Sequence, residues 1–572
     1  MKRAVTALAA VFTLGAAPVT APAFDLVIRN AEIYDGSGGA PFKGEVAVNA
    51  DRIAYVGPHA PGPGAREIDA GGKALAPGFI NMLSWANETL IADGRGLSDL
   101  KQGITLEVMG EGNSMGPINA DMRAKAQNRQ ADIRYDVDWT TLGDYLSGME
   151  KRGVSMNLAS FIGAETTRVN VLGEDDVDPT PAQLDAMRAL VRQAMEEGAM
   201  GVGSSIIYAP GSYAETPELA ALATEAGKCG GMYISHMRSE GDRLIEAVDE
   251  LIEISRLSGA PAEIYHLKAA GRSNWSKLDT AIAHIEAARA KGQRITADMY
   301  TYPAGSTGLD AAMPTWVQAG GVEQWIARLK DPATRAKVIA EMRAEKPAFE
   351  NLLLHAGGEG TLLVGFKNPA LKPLTGKTLA EVAKARGVSV QDAAIDLVIE
   401  DGTRVQVVYF LMSEPNVAKE TALPWMSLGS DAGALAPEGV FLKSSTHPRA
   451  YGNVARLLGK YVREEKTLTL ADAVRKLSAQ PAHNLGLKDR GLIKTGYFAD
   501  LVVFDPKTVA DHGTFEKPQQ FATGVSEVVV NGQLALAGGE PTDARPGRFV
   551  RGRGWTGWKD GGCRKSAADW SW

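Results

Sequence analysis

Cysteine is nearly absent from this sequence: the 572 residues include two, Cys229 and Cys563, far apart in the chain. Two thiols exclude a disulfide framework and a four-cysteine zinc site, so any metal must be held by histidine and carboxylate. Long apolar runs are also missing, and without roughly 20 consecutive apolar residues no helix spans a bilayer. Blocks of like charge do not occur. Lys and Arg total 61 against 68 Asp and Glu, a net charge of -7, which argues against a nucleic-acid partner. Repeats, heptads and low-complexity tracts are lacking too, which leaves a purely structural role with least support. What remains is the composition of a soluble globular protein, 45% hydrophobic and 23% charged. The length suggests about four domains, or one large barrel with appendages.

The first 23 residues read as an address. Lys2 and Arg3 precede an apolar run over residues 4–17, and Ala21-Pro22-Ala23 closes it with a small-x-small pattern. The pattern is that of a cleaved secretory signal, so the mature chain is expected to start near Phe24 and to work in the periplasm or outside the cell.

Residues 24–75 alternate apolar and polar side chains between Gly and Pro turns, the pattern of short antiparallel strands. The same pattern returns over 485–547, so both ends are expected to build one small β domain. Between them, over 76–484, apolar strand-like runs alternate with helical stretches, which argues for βα units and a parallel sheet. Eight such strands are expected at 75–83, 104–110, 155–162, 200–207, 232–236, 262–267, 294–302 and 426–430. Leu244, Val248, Leu251 and Ile254 recur at helical spacing before Gly259, a C-cap residue. The fold expected is α/β, a (β/α)8 barrel with an inserted subdomain over about 308–422, because the stretch before the last strand exceeds one crossover. Residues 548–572 form a Gly- and Trp-rich tail without periodicity or an evident function.

Barrel active sites form at the C-terminal ends of the strands. Among only eight histidines, His236 and His266 end the fifth and sixth strands; Glu111 follows the second and Asp431 the eighth. A lone histidine there is more often structural, but two beside acids point to a metal centre. Zinc takes imidazole nitrogen and carboxylate oxygen, and a catalytic site needs about three protein ligands and an open position. Glu111, His236 and His266 supply that set, with Glu107 as the alternative to Glu111, although its apolar neighbours place Glu107 inside the strand. A bound cation brings the pKa of water to about 7 and polarises a carbonyl. Asp431 is placed to accept a proton from that water and pass it to a departing nitrogen. Lys268 shares a strand face with His266, Tyr300 and Tyr302 end the seventh strand, and Arg449 follows Thr446-His447-Pro448. Cations beside phenols suit the binding of a carboxylate.

Several motifs together make the chain resemble the N-acyl-D-amino-acid deacylases (D-aminoacylases) of the amidohydrolase superfamily. They include Ala76-Pro-Gly-Phe-Ile, Tyr233 to Arg238 followed by Glu240-Gly-Asp, His266-Leu-Lys, Ala297-Asp to Ser306-Thr, Gly429-Ser-Asp and His447-Pro-Arg-Ala-Tyr-Gly. The resemblance covers nearly the whole mature chain. It implies a metal-dependent (β/α)8 barrel, His236 and His266 as ligands, Asp431 as the catalytic aspartate, and Lys268, Tyr300, Arg449 and Ser306 around the substrate's carboxylate. Two departures stand out. Leu83 and Trp85 occupy the places of the family's His-x-His pair, so a second metal is expected to be missing, and Glu111 stands where a cysteine is common. Trp85 is expected instead to close an apolar acyl pocket.

The resulting expectation is hydrolysis of the linear amide of N-acyl-D-amino acids with one zinc ion per chain. The partner is a small-molecule substrate, with no nucleic acid and no membrane span. Cyclic-amide or dipeptide hydrolysis, a catalytically dead relative and a non-catalytic periplasmic carboxylate-binding protein remain as alternatives.

Overall fold

The computed structural model describes residues 23–559 and 561–563. Of the expected signal segment 1–23, residues 1–22 lie outside the described residues. Two architectures share the chain, and the residue pattern explains each.

The alternating segments at both ends form a single nine-stranded sheet. Its order runs from Glu540–Pro541 through Gln533–Ala537, Val525–Val530, Leu501–Phe504, Ala74–Pro77, Phe24–Ile33 and Phe42–Asn49 to Arg52–Gly57, with Gly64–Asp69 pairing Phe24–Ile33. Leu26, Ile28, Val46, Val48, Leu501, Val503 and Val529 are buried in one cluster on a face of this sheet. Period-two patterning requires that result, since alternate side chains share a face.

The middle of the chain supplies eight parallel strands: β1 (Phe79–Asn81), β2 (Ile104–Met109), β3 (Asn157–Ser160, continued by Ile162–Gly163), β4 (Gly201–Ser205), β5 (Met232–His236), β6 (Ala262–Ile264), β7 (Ile295–Met299) and β8 (Met426–Leu428). β1 pairs β2 and β2 pairs β3, while β3 through its second part pairs β4 and the series continues through β5, β6 and β7 to β8. The strands are almost wholly buried, as a parallel sheet covered by helices demands. The helix Leu244–Ser258 between β5 and β6 buries Leu244, Val248, Leu251 and Ile254 and ends at Gly259.

The expected first strand divides. Ala74–Pro77 joins the terminal sheet, and only Phe79–Asn81 joins the parallel series. Gly78 is the crossing point: its N–H bonds Asp500 O at 2.8 Å, and a Cβ there would lie 2.2 Å from Thr105 Oγ1.

Before β8, Gly305–Gly308, Thr361–Gly365 and Gln406–Tyr409 make a separate three-stranded antiparallel sheet. The described residues of the tail also have a place. Val550 N donates to Leu158 O at 2.8 Å, and Cys563 joins Cys229, at the end of the helix Thr216–Lys228, in a disulfide. Two cysteines too few for a framework thus make one staple that pins the tail.

Candidate active site

Glu111 stands between Gly110 and Gly112, both at positive φ (104° and 67°). A Cβ on Gly110 would lie 2.3 Å from Phe161 O, so only glycine lets the chain turn this tightly against β3. The turn aims the Glu111 carboxylate across the strand ends. His236, the last residue of β5, and His266, two beyond β6, meet it there. His236 Nδ1 and His266 Nε2 each lie 3.1 Å from Glu111 Oε1, and one donor atom from each of the three residues lies within 4.8 Å of the others. All three side chains are buried.

The backbone is strained at this point. His266 (φ 35°) and Asp431 (φ 50°) both hold left-handed conformations that cost about 1–3 kcal/mol in a non-glycine residue. Asp298 Oδ1 accepts the His266 N–H at 2.9 Å, and Leu83 O accepts the Asp431 N–H at 2.9 Å, which holds both residues in place.

Glu240, which composition and spacing did not single out, completes the cluster. Its Oε1 lies 3.0 Å from His266 Nδ1 and accepts from Lys268 Nζ, and its Oε2 lies 3.8 Å from His236 Nε2. Lys268 Nζ, which donates to Glu240, also lies 2.7 Å from His266 Nδ1, so the lysine and the carboxylate together hold the far side of this imidazole, as groups behind a ligating histidine do. The available signal was positional, an acid four residues beyond His236.

The electrostatics of the cluster suit a cation. Burial pushes the Glu111 carboxyl up, but hydrogen bonds from His236 and His266 outweigh it and hold Glu111 well below the usual carboxylate range. Glu240 is also held low, burial being overcome by Lys268, His236 and His266. Burial and Lys268 push His266 down, yet Glu240 and Glu111 raise it to about 10. Two imidazoles and a carboxylate converging within 4.8 Å form a donor set that fits zinc. Glu107 does not join them. Its carboxyl is fully buried within β2, accepts from Asn81 Nδ2 at 2.9 Å and is raised by burial to about 7.

Asp431 faces the triad from the β8 side. Arg449 Nη2 bonds its Oδ2 at 2.8 Å, and Trp85 Nε1 donates to its Oδ1 at 3.1 Å and to Glu111 Oε2 at 2.9 Å. Burial, the largest influence, raises the Asp431 pKa with help from Glu111, against the lowering effect of Arg449. The Tyr300 ring lies near both cations, its centre 4.4 Å from Arg449 and 5.5 Å from Lys268. Arg449 Nε and Nη1 are buried without a partner among the described residues. Leaving buried donors unmet is costly, so they are suited to a ligand's carboxylate. His447 fixes this arginine: its Nδ1 accepts the Arg449 N–H at 2.9 Å while Nε2–H donates to Ala304 O at 2.9 Å. Ser306 meets Arg449 through its backbone carbonyl at 3.3 Å, and its hydroxyl donates to Val407 O at 2.9 Å. Tyr302, the other phenol of the seventh strand, donates instead to Asp511 at 2.9 Å.

All eight site residues expected from the sequence line one cavity of about 780 Å³, which Arg404 and, from the inserted sheet, Tyr409 also line. Trp85 lines it too, but its N–H points at the two carboxylates, so it is not merely the apolar lid that its position suggested.

A sequence model described as the amidohydrolase family matches residues 66–535. The chain belongs to this family. Among its relatives, the N-acyl-D-glutamate deacylase of Alcaligenes xylosoxydans xylosoxydans is 31% identical over 92% of this amidohydrolase and 96% of that protein. The D-aminoacylase of the same organism is 31% identical over 89% and 94%. The crystal structure of N-acyl-D-glutamate deacylase from Bordetella bronchiseptica, complexed with zinc and a phosphonate mimic of the tetrahedral intermediate, superposes with a TM-score of 0.76. It is 28% identical and covers 92% of this chain and 99% of that one.

Proposed function

We propose that this amidohydrolase is a zinc-dependent deacylase that hydrolyses the linear amide of N-acyl-D-amino acids to a carboxylate and a free amino acid. The observation that carries the reading is the facing arrangement in one cavity. Glu111, His236 and His266 converge on one side, and Asp431 and the buried, partly unpartnered Arg449 stand opposite. Relatives that deacylate N-acyl-D-glutamate, and the D-aminoacylase, support the substrate class.

We read the eight parallel strands as a closed (β/α)8 barrel. Hydrogen bonds from Met82 N to Leu428 O at 3.0 Å and from Asp431 N to Leu83 O at 2.9 Å link β8 back to β1, which supports closure. The site then sits at the C-terminal end of the barrel, where this fold places its chemistry.

Zinc held by Glu111, His236 and His266 would polarise the acyl carbonyl and lower the pKa of a water molecule. The residues of the chain do the rest. Arg449 and Lys268 take the substrate's carboxylate across the face of Tyr300, which sets the amide between the metal triad and Asp431. The Asp431 carboxylate accepts the proton of the attacking water and returns it to the leaving nitrogen, so one group serves as base and then as acid. Its burial favours holding that proton between the two steps.

Assay of the purified, zinc-replete protein on paired N-acetyl-D- and N-acetyl-L-amino acids tests the reading. Faster release of acetate from the D series is expected. Ring opening of hydantoins with no cleavage of linear amides, or turnover confined to L substrates, would overturn it.

A further inference from the structure

Trp85 links the two functional halves of the site. Its indole N–H is shared between Glu111 Oε2 (2.9 Å) and Asp431 Oδ1 (3.1 Å), the two carboxylates that face each other across the cavity. Each carboxylate is tied elsewhere by its other oxygen, Glu111 Oε1 to the two histidines and Asp431 Oδ2 to Arg449. The Trp85 backbone is stitched to the same loop. Its N–H bonds Ala432 O at 2.9 Å, and the neighbouring Leu83 O accepts from Asp431 N. The indole therefore cannot swing without breaking contacts on both sides. Like charges held close repel unless a donor or cation stands between them, and here a single neutral N–H does so.

We propose that Trp85 is a positioning residue whose indole N–H clamps Glu111 and Asp431 in a fixed mutual orientation, so that Glu111 holds Oε1 toward the two histidines, where zinc would bind, while Asp431 faces the reacting amide. The inference rests on the zinc-deacylase reading. It differs from pocket lining, because what matters is the nitrogen bonded to the two carboxylates rather than the apolar ring surface.

Trp85→Phe keeps the ring and removes the donor; Trp85→Tyr restores a donor on a ring. Zinc affinity and steady-state kinetics of both variants, with thermal melts to check folding, distinguish the roles. Loss of the clamp is expected to weaken zinc binding about ten- to a hundredfold in Trp85→Phe, the usual effect of removing a group that orients a metal ligand. A comparable fall in kcat is expected, with KM little changed, and Trp85→Tyr should recover part of both losses. A Trp85→Phe enzyme with parental zinc affinity and kcat, or one altered in KM alone, overturns the clamp while leaving the deacylase reading standing. A parent protein that holds no zinc and cleaves no N-acyl-D-amino acid overturns both.

Discussion

Asp431→Asn is expected to lower kcat about a thousandfold, within the range that a positioned acid–base group contributes. Zinc content should stay unchanged, because Asp431 lies outside the triad. Asparagine is nearly isosteric and keeps an acceptor toward Trp85; it loses the ion pair with Arg449 and the ability to take and return a proton. The pH dependence carries the same signature. Asp431 must be ionised to accept a proton, and burial together with Glu111 raises its pKa above that of an ordinary aspartate despite Arg449. Activity of the parent enzyme should therefore fall with decreasing pH at a midpoint above about 3.9, the ordinary aspartate value. The residual activity of Asp431→Asn should lack that acid limb. A variant that keeps the parental kcat and pH profile would remove Asp431 from the mechanism.

His266→Ala is expected to abolish stoichiometric zinc binding together with activity. His266 supplies one of three donors and carries the contact that links the triad to Glu240 and Lys268. Removing it leaves two donors and a buried Glu240–Lys268 pair beside a void. Lewis-acid assistance is worth several kcal/mol, and each tenfold in rate corresponds to about 1.36 kcal/mol, so kcat/KM should drop by about 10³-fold or more. Metal analysis after dialysis, alongside the kinetics, checks both parts. Retention of one zinc with full turnover would show that the cation, if used, is held elsewhere.

The legible part of this protein lay in its short-range patterns. The alternating termini announced a sheet, and the apolar runs between helices announced parallel strands. Because a parallel strand places its last side chains at a known end of the sheet, His236, His266, Glu111 and Asp431 could be picked out before any distance was known. Contacts made by loops that fold back were not legible. Trp85 reaches Asp431 across 346 positions, through a turn whose direction no local pattern encodes. Glu240 lies four residues from His236, yet its closer imidazole partner is His266, which only the path of the chain after β5 reveals. The pairing of Arg449 with Asp431 has the same origin, since a cation chosen for a substrate's carboxylate also meets the nearest protein carboxylate. The division of the first strand at Gly78 was hidden because both halves are equally apolar and only the change of sheet separates them. The tail gave no signal at all, because its described residues are placed by backbone bonds to β3 and by one disulfide rather than by periodicity.

The claim on which the rest depends is that Glu111, His236 and His266 grip a single zinc ion. A zinc-edge anomalous difference map from crystals of the zinc-loaded enzyme tests it most directly. The account predicts one strong peak about 2.0–2.2 Å from His236 Nδ1, His266 Nε2 and a Glu111 carboxylate oxygen. An active, zinc-loaded enzyme whose peak lies among other residues would contradict it.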